Sequence, residues 1–247
     1  MRRLVISDIH ANLEALDAVL DAADGAYDGV LSLGDTVGYG ANPNECVERV
    51  ANLPHLVCLT GNHDLAALGA IDIQVFNPYA RTAAEWTGKH MAAHVRMFLE
   101  GLVPEGHTDS VALAHASPRD PVWEYIEDAS QGPPNFAMFD EPVCLVGHTH
   151  IPLVLTNSPG TNTYNCEVKY GEPSSALDLC DKRKRIVNPG SVGQPRDGDS
   201  RAAYALWDTG SGEWVFGRAS YDIEVTQAKI DRAGLPSLLG ERLYLGR

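Results

Sequence analysis

Positive charge is scarce: 19 lysines and arginines stand against 33 aspartates and glutamates, a formal net charge of −14 over 247 residues. Such a chain has no overall attraction for duplex DNA or for an anionic membrane surface. A nuclease is disfavoured on the same ground, because there is no basic run or track. No stretch approaches the roughly 20 apolar residues of a membrane-spanning helix. The apolar run in Met1-Arg2-Arg3-Leu4-Val5-Ile6-Ser7 is too short for a secretory leader, so the cytoplasm is the expected compartment. Cysteine is sparse and odd in number: Cys46, Cys58, Cys144, Cys166 and Cys180 form no C-x-x-C pair. They read as reduced, mostly buried thiols rather than as a disulfide framework or a thiolate-held zinc. Internal repeats and low-complexity tracts are absent as well.

What is present is the composition of an ordered protein, 44% hydrophobic and 21% charged. Residues 3–7 read as a strand, after which Asn12 caps a helix with Leu13, Leu16, Val19 and Leu20 on one face. Residues 30–33 and 55–59 read as further strands, with a helix from about 43 to 50 between them. Alternating β and α elements favour an α/β sheet with active loops at the C-terminal ends of its strands. One long helix is expected over 77–101, because Asn77 caps it, Pro78 suits its first position and Gly101 stops it; Gly88 marks a possible break. After His150 the pattern becomes short strand-like runs at 153–156, 163–168, 176–180, 185–187, 203–207 and 213–217, separated by turn residues. This stretch of about 151–220 is expected to be a meander that forms the second sheet and packs face to face on the first. The expected fold is thus α/β, a four-layer α-β-β-α sandwich of two mixed sheets flanked by helices, as one domain over 1–247 with a helical insert near the active site at about 65–110.

Four clusters carry the chemistry. Asp8-Ile9-His10, Gly34-Asp35, Gly61-Asn62-His63-Asp64 and Gly147-His148-Thr149-His150 each sit just past an apolar run, and His115 ends a fifth. Carboxylates, an amide oxygen and imidazoles suit a pair of divalent transition ions. Alternate residues of an extended segment point the same way, so Asp8 with His10, and His148 with His150, can reach a common volume. Any one triplet occurs as surface decoration in many proteins; the signal is their joint position after strands.

In this order, D-x-H, G-D, G-N-H-D, a separate His and G-H-T-H resemble the calcineurin-like metallophosphoesterase family, over residues 8–150. The resemblance implies that Asp8, His10 and His150 hold a first metal, that Asn62, His115 and His148 hold a second, and that Asp35 bridges them. His63 then corresponds to an imidazole beside the scissile phosphate, a proton donor or charge stabiliser rather than a ligand. Two ions roughly 3.5–4 Å apart, offset by one anionic bridge, can bind both an attacking oxygen and a phosphoryl oxygen. A bridging water would lose its proton near neutral pH and attack phosphorus in line, while His63 protonates or hydrogen-bonds the leaving oxygen. Manganese, iron or zinc suit so many imidazoles better than magnesium. Asp64 either orients His63 through its second nitrogen or caps the helix that starts near Leu65.

Protein phosphatases of this family often continue the second motif as G-D-x-x-D-R, whereas here it runs Gly34-Asp35-Thr36-Val37-Gly38-Tyr39-Gly40. The missing acid and arginine weaken the protein Ser/Thr phosphatase reading and favour a prokaryotic branch of small phosphodiesterases and phosphatases. The expected substrate is a small phosphorylated compound, nucleotides included, as a monoester or diester. A non-catalytic interaction scaffold is the alternative, weakened by the presence of His63 and every candidate ligand. For substrate contact the candidates are Tyr39, Arg196 and Arg119, each with a packing or surface role as its alternative. The stretch Asn188–Arg196 resembles an N-P-G-S-V segment of the same branch, which is expected beside the metal loops. His90 and His94 lie four apart on the expected helix and read as surface or packing residues. Oligomeric state is not legible.

Overall fold

Strand alternation sets the layers. In β1 (Arg2–Ile6), Leu4 and Ile6 cluster with Leu16 and Val19 of α1 (Leu13–Ala22), while Val5 clusters with Leu113, Leu145 and Trp214 of other strands. Successive strand residues face opposite ways, so β1 buries one face under a helix and the other against a second sheet. Asn12 starts α1 as the sequence predicts, its Oδ1 accepting from the Ala15 amide at 3.2 Å. The computed structural model describes residues 1–157, 166–181 and 183–247.

β2 (Gly29–Ser32), α2 (Pro43–Ala51) and β3 (Val57–Cys58) follow, with β1, β2 and β3 parallel. Next come α3 (Asn62–Leu68), a short 3-10 turn at Ile73–Val75, α4 (Pro78–His90) and α5 (Ala93–Glu100). The single helix expected over 77–101 is therefore two, and the break falls at Met91-Ala92 instead of at Gly88. Asn44 of α2 explains the place: its Oδ1 accepts from the Ala92 amide at 2.8 Å and its Nδ2 donates to the His90 carbonyl at 3.0 Å. Backbone groups exposed by the break are thus paired. Gly88 stays inside α4 because α3 presses on it; a Cβ there would lie 2.7 Å from the Ala67 carbonyl oxygen.

The chain continues through β4 (Glu105–Thr108), β5 (Val111–Ala114), α6 (Gly132–Phe136), β6 (Val143–Leu145), β7 (Leu153–Asn157), β8 (Cys166–Tyr170), β9 (Ala176–Asp178), β10 (Arg185–Asn188), β11 (Ala202–Asp208) and β12 (Glu213–Ala219). It ends in α7 (Ile223–Arg232), α8 (Leu238–Glu241) and a 3-10 turn at Arg242–Leu245. The strand read at 163–168 lies partly outside the described residues. Two mixed six-stranded sheets result, ordered β3-β2-β1-β11-β12-β9 and β4-β5-β6-β10-β7-β8. Helices α1 and α2 flank the first, and α6 covers the second with Phe136 against Ala114, Leu155 and Ile186.

The α-β-β-α layering is as expected, but the strands after His150 do not form a sheet of their own. β7, β8 and β10 extend the sheet begun by β4–β6, whereas β9, β11 and β12 extend the one begun by β1–β3. Both three-stranded beginnings have open edges with unpaired backbone groups, and the later strands satisfy both: β11 pairs antiparallel with β1, and β10 parallel with β6. Among the described residues no helix is long and apolar enough to cross a membrane. At the C-terminus, Ile230, Leu235, Leu239 and Leu243 pack on Tyr39, Ala80 and Ala83, which brings α7 and α8 against the loop after β2.

Candidate metal centre

Each predicted ligand lies just beyond the C-terminal end of a strand: Asp8 and His10 after β1, Asp35 after β2, Asn62 at the start of α3 after β3, His115 after β5, and His148 and His150 after β6. Because β1–β3 are parallel to one another, as are β5 and β6, these loops gather at one edge of the sandwich. Backbone bonds lock them together. The Asp8 amide donates to the Gly34 carbonyl and the His10 amide to the Asp35 carbonyl, both at 3.0 Å.

Two clusters form. In the first, His150 Nε2 lies 3.2 Å from Asp8 Oδ1, and His10 Nε2 lies 3.8 Å from the same oxygen and 3.0 Å from His150 Nε2. In the second, His115 Nε2 lies 3.5 Å from Asp35 Oδ2 and 3.2 Å from Asn62 Oδ1, with His148 alongside. Asp35 Oδ2 is also 3.8 Å from His10 Nε2, between the clusters.

Hydrogen bonds at the far side of each ring fit this donor set to cations. His10, His115 and His150 place Nδ1 against the carbonyls of Val37 at 3.3 Å, Leu33 at 2.8 Å and Gln194 at 2.6 Å. A carbonyl only accepts, so Nδ1 carries the proton and Nε2 turns a lone pair inward. Two such lone pairs 3.0 Å apart, on His10 and His150, cannot bond to each other. Asp8 Oδ1, Asp35 Oδ2 and His148 Nε2 are buried with no hydrogen-bond partner among the described residues. The outer carboxylate oxygens are satisfied: Asp8 Oδ2 by Ser7 Oγ at 2.6 Å and the His148 amide at 3.0 Å, Asp35 Oδ1 by the His63 amide at 2.8 Å. Unpaired buried acceptors are costly, and two divalent ions would satisfy all of them.

Electrostatics keep Asp8, Asp35 and His148 in ligand form, whereas His115 must give up a proton to a cation. Burial raises Asp8 and Asp35, but His150 beside the one, and His115 and His63 beside the other, outweigh it and hold both carboxyls below their ordinary range. Burial, then the charge of His115, takes His148 down to about 3, and burial takes His63 to about 4, so both are neutral imidazoles. His115 goes the other way: burial opposes its charge, yet Asp35 draws it up to about 9. The backbone is strained at the same places. Asp8, His10, Asp35, His148 and His150 all have φ between 52° and 64°, the left-handed region that non-glycine residues rarely enter.

His63 is held by rings. Phe76 stacks on it at 4.8 Å and 14°, Tyr39 lies 4.4 Å away, and His10 meets it edge-on at 4.9 Å. Its Nδ1 is buried with no partner among the described residues. Asp64 therefore does not orient it, contrary to one of the two roles read from sequence. Its carboxylate instead accepts from the amides of Gly61 at 2.9 Å, Val37 at 2.9 Å and Thr36 at 3.3 Å. These amides lie within reach and outnumber its oxygens. Tyr39 is 6% exposed, wedged between His10 and His63, so it is neither a surface turn aromatic nor an open substrate contact.

The Asn188–Arg196 stretch does reach the site: Asn188 Nδ2 donates to the Gly147 carbonyl at 2.7 Å, and Ser191 Oγ to the Asp8 carbonyl at 2.8 Å. Arg196 follows His150 closely, its amide on the His150 carbonyl at 3.2 Å; Nη2 bonds Gln194 Oε1 at 3.0 Å and Nε is buried without a partner among the described residues. Arg119 is not brought in. It is half exposed and paired with Glu124, which takes up its guanidinium. His90 stacks on Trp86 and His94 pairs with Glu48 at 2.6 Å, away from the clusters. Sequence reading missed Phe76, Ser7, Gln194 and Arg242. Burial, then the nearby charge of Arg196, lowers the Arg242 guanidinium. Ser7, next to Asp8, and Gln194, inside the Asn188–Arg196 stretch, had a positional signal; Phe76 and Arg242 had none.

Residues 1–212 match the calcineurin-like phosphoesterase superfamily domain. The chain belongs to that superfamily. A curated relative, the uncharacterized protein MJ0912 of Methanocaldococcus jannaschii, is 41% identical over 98% of this chain and 97% of its own. The crystal structure of a metallophosphoesterase from Sphaerobacter thermophilus is similar at a TM-score of 0.90, with 43% identity over 100% of this chain and 99% of that one. Hypothetical protein PH1004 from Pyrococcus horikoshii OT3 superposes at a TM-score of 0.80 over 100% and 98% of the two chains with 19% identity, a likeness of fold alone. Within the superfamily, two His/Asp clusters at the strand ends make a site for metal ions.

Proposed function

We propose that this calcineurin-like protein is a dinuclear metal-dependent phosphoesterase that hydrolyses monoester or diester bonds of small phosphorylated compounds. The observation that carries the reading is Asp35 Oδ2, unpaired and buried between two clusters whose imidazoles turn Nε2 inward. Asp8, His10 and His150 would hold one ion and Asn62, His115 and His148 the other, with Asp35 shared; manganese, iron or zinc suit the imidazoles. When bound, the ions supply positive charge to the phosphoryl oxygens and lower the pKa of the attacking water. The chain's own residues supply the rest. His63, fixed by Phe76 and Tyr39, donates a hydrogen bond from its neutral ring to the leaving oxygen. Arg196 brings an Nε–H that nothing among the described residues has claimed, and a phosphate oxygen is its natural acceptor. The net charge of −14 argues for a small substrate in this site over duplex nucleic acid or a membrane surface.

The deciding assay takes metal-stripped protein, restores Mn²⁺, and measures turnover of p-nitrophenyl phosphate and bis-p-nitrophenyl phosphate. Hydrolysis of at least one is expected. Well-folded, metal-loaded protein that turns over neither would support the scaffold reading. In the same assay His63→Ala is expected to retain both metals by elemental analysis while kcat falls about 10²- to 10⁴-fold. Loss of metal instead would show that His63 is a ligand.

A further inference from the structure

Two large aromatic side chains stand uncovered at the rim of the metal centre. Trp123 is 36% exposed and Tyr125 42%, whereas Trp207 and Trp214 are buried between the sheets. Tyr125 touches the site directly and Trp123 reaches it through Phe76. Tyr125 lies 4.0 Å from the His148 ring, and Trp123 lies 5.5 Å from Phe76, which stacks on His63. One ring therefore approaches from the second metal cluster and the other from the imidazole proposed to serve the leaving group.

The backbone that presents them is anchored on both sides. Asp120 Oδ1 accepts from the amides of Val122 at 3.2 Å and Trp123 at 3.1 Å. The Glu124 carboxylate accepts from Ser117 Oγ at 2.5 Å, Asn135 Nδ2 at 3.1 Å and Arg119 Nε at 3.2 Å. Ile126 is fully buried, and its carbonyl accepts from Thr149 Oγ1, between the two histidines of the last motif, at 3.1 Å. Side chains thus alternate, with Trp123 and Tyr125 outward and Glu124 and Ile126 inward. Rigid, amphipathic rings on a fixed backbone lose little entropy when they bind. They stack on any flat ring with little regard to its substituents. The anionic half of such a ligand has its partner in Arg196, on the adjoining loop.

We propose that Trp123 and Tyr125 form a stacking site for an aromatic ring carried by the substrate, so that the preferred substrates are phosphoesters joined to a flat ring, as in a nucleotide or an aryl phosphate. The phosphate half of this proposal rests on the phosphoesterase reading; the ring half does not.

Wild type, Trp123→Ala, Tyr125→Ala and Trp123→Tyr, all loaded with Mn²⁺, are assayed on phenyl phosphate and methyl phosphate. The same proteins, each combined with His63→Ala so that turnover is slowed, are titrated by calorimetry with adenosine 5′-monophosphate and ribose 5-phosphate. Removing either ring is expected to lower the phenyl-to-methyl ratio of kcat/KM, and the adenosine-to-ribose affinity ratio, by about 5- to 150-fold. Trp123→Tyr is expected to restore both ratios. A fall confined to the adenosine arm supports the site and identifies the ring as a nucleobase; a fall confined to the phenyl arm supports it for aryl esters. Ratios unchanged in alanine variants that still hydrolyse methyl phosphate overturn the stacking site and leave the phosphoesterase reading standing. If no ester is turned over while adenosine 5′-monophosphate still binds more tightly than ribose 5-phosphate, the phosphoesterase reading fails and the stacking site survives.

Discussion

Asp64 holds two loops at once. Its carboxylate closes the N-terminus of α3 through the Gly61 amide and reaches across to Thr36 and Val37 in the loop that carries Asp35. Burial and the neighbouring charge of Asp35 push its pKa up to about 7, even though the amides favour the ionised form. Replacing Asp64 by Ala leaves buried amides without acceptors, a loss of about 2–4 kcal/mol. Urea denaturation of the metal-free variant is expected to read that loss, together with weakened metal uptake because Asp35 and Asn62 sit on the loosened loops. An Asp64→Ala protein of wild-type stability with only kcat reduced would return the residue to the orienting role that its structure argues against. The donors were legible from sequence because their chemistry resides in the side chain. What turns His10, His115 and His150 inward was not, since Val37, Leu33 and Gln194 act through backbone carbonyls that every residue has. The left-handed φ of Asp8 and His150 was likewise hidden, because no glycine marks those positions.

At the scale of elements, Glu124 is one of two acids, with Asp120, that hold the loop between β5 and α6. Burial raises the Glu124 pKa, but hydrogen bonds from Arg119, Ser117 and Asn135 outweigh it and leave the group below its ordinary value. A carboxyl depressed in the folded state binds fewer protons there than when unfolded. Its contribution is therefore complete above the unfolded pKa of about 4.3 and is lost as pH falls through the folded value. Arg119 is half exposed, so solvent discounts its share; the bonds from Ser117 and Asn135 add to it. Glu124→Gln is expected to cost about 1 kcal/mol at pH 7, shrinking as pH falls below about 4. Denaturation curves of the two proteins from pH 7 to 3 test this; a constant difference would mean that Glu124 acts through shape and not charge. The boundaries of such elements were readable only where the signal is local. Asn12 announced α1, and the motifs announced strand ends. The break at Met91-Ala92 depends on Asn44, which is distant in sequence, and the sheet joined by β9, β11 or β10 depends on which edge lies open.

Because those later strands finish both sheets, the two halves of the sandwich meet at the metal loops, and each cluster draws ligands from both. Asp8 and His10 follow a strand of one sheet and His150 a strand of the other; Asp35 and Asn62 face His115 and His148 in the same way. Without cations this edge holds buried, unpaired carboxylate oxygens and left-handed backbone, both of which work against the folded state. Bound ions would cross-link the sheets where that cost is concentrated, and ions that bind only the folded chain stabilise it by mass action. At a free metal concentration about 1,000 times the dissociation constant, one site contributes about 4 kcal/mol, which for a chain of this size raises Tm by about 8–16 °C. Calorimetry of chelator-treated protein before and after Mn²⁺ is added is expected to show a rise of at least that size, since two sites load. His150→Ala removes a ligand of the first cluster alone and is expected to retain only part of the rise. A Tm indifferent to chelation and to added metal, in protein that elemental analysis shows to have lost and regained its ions, would mean that the two sheets hold together at this edge without them.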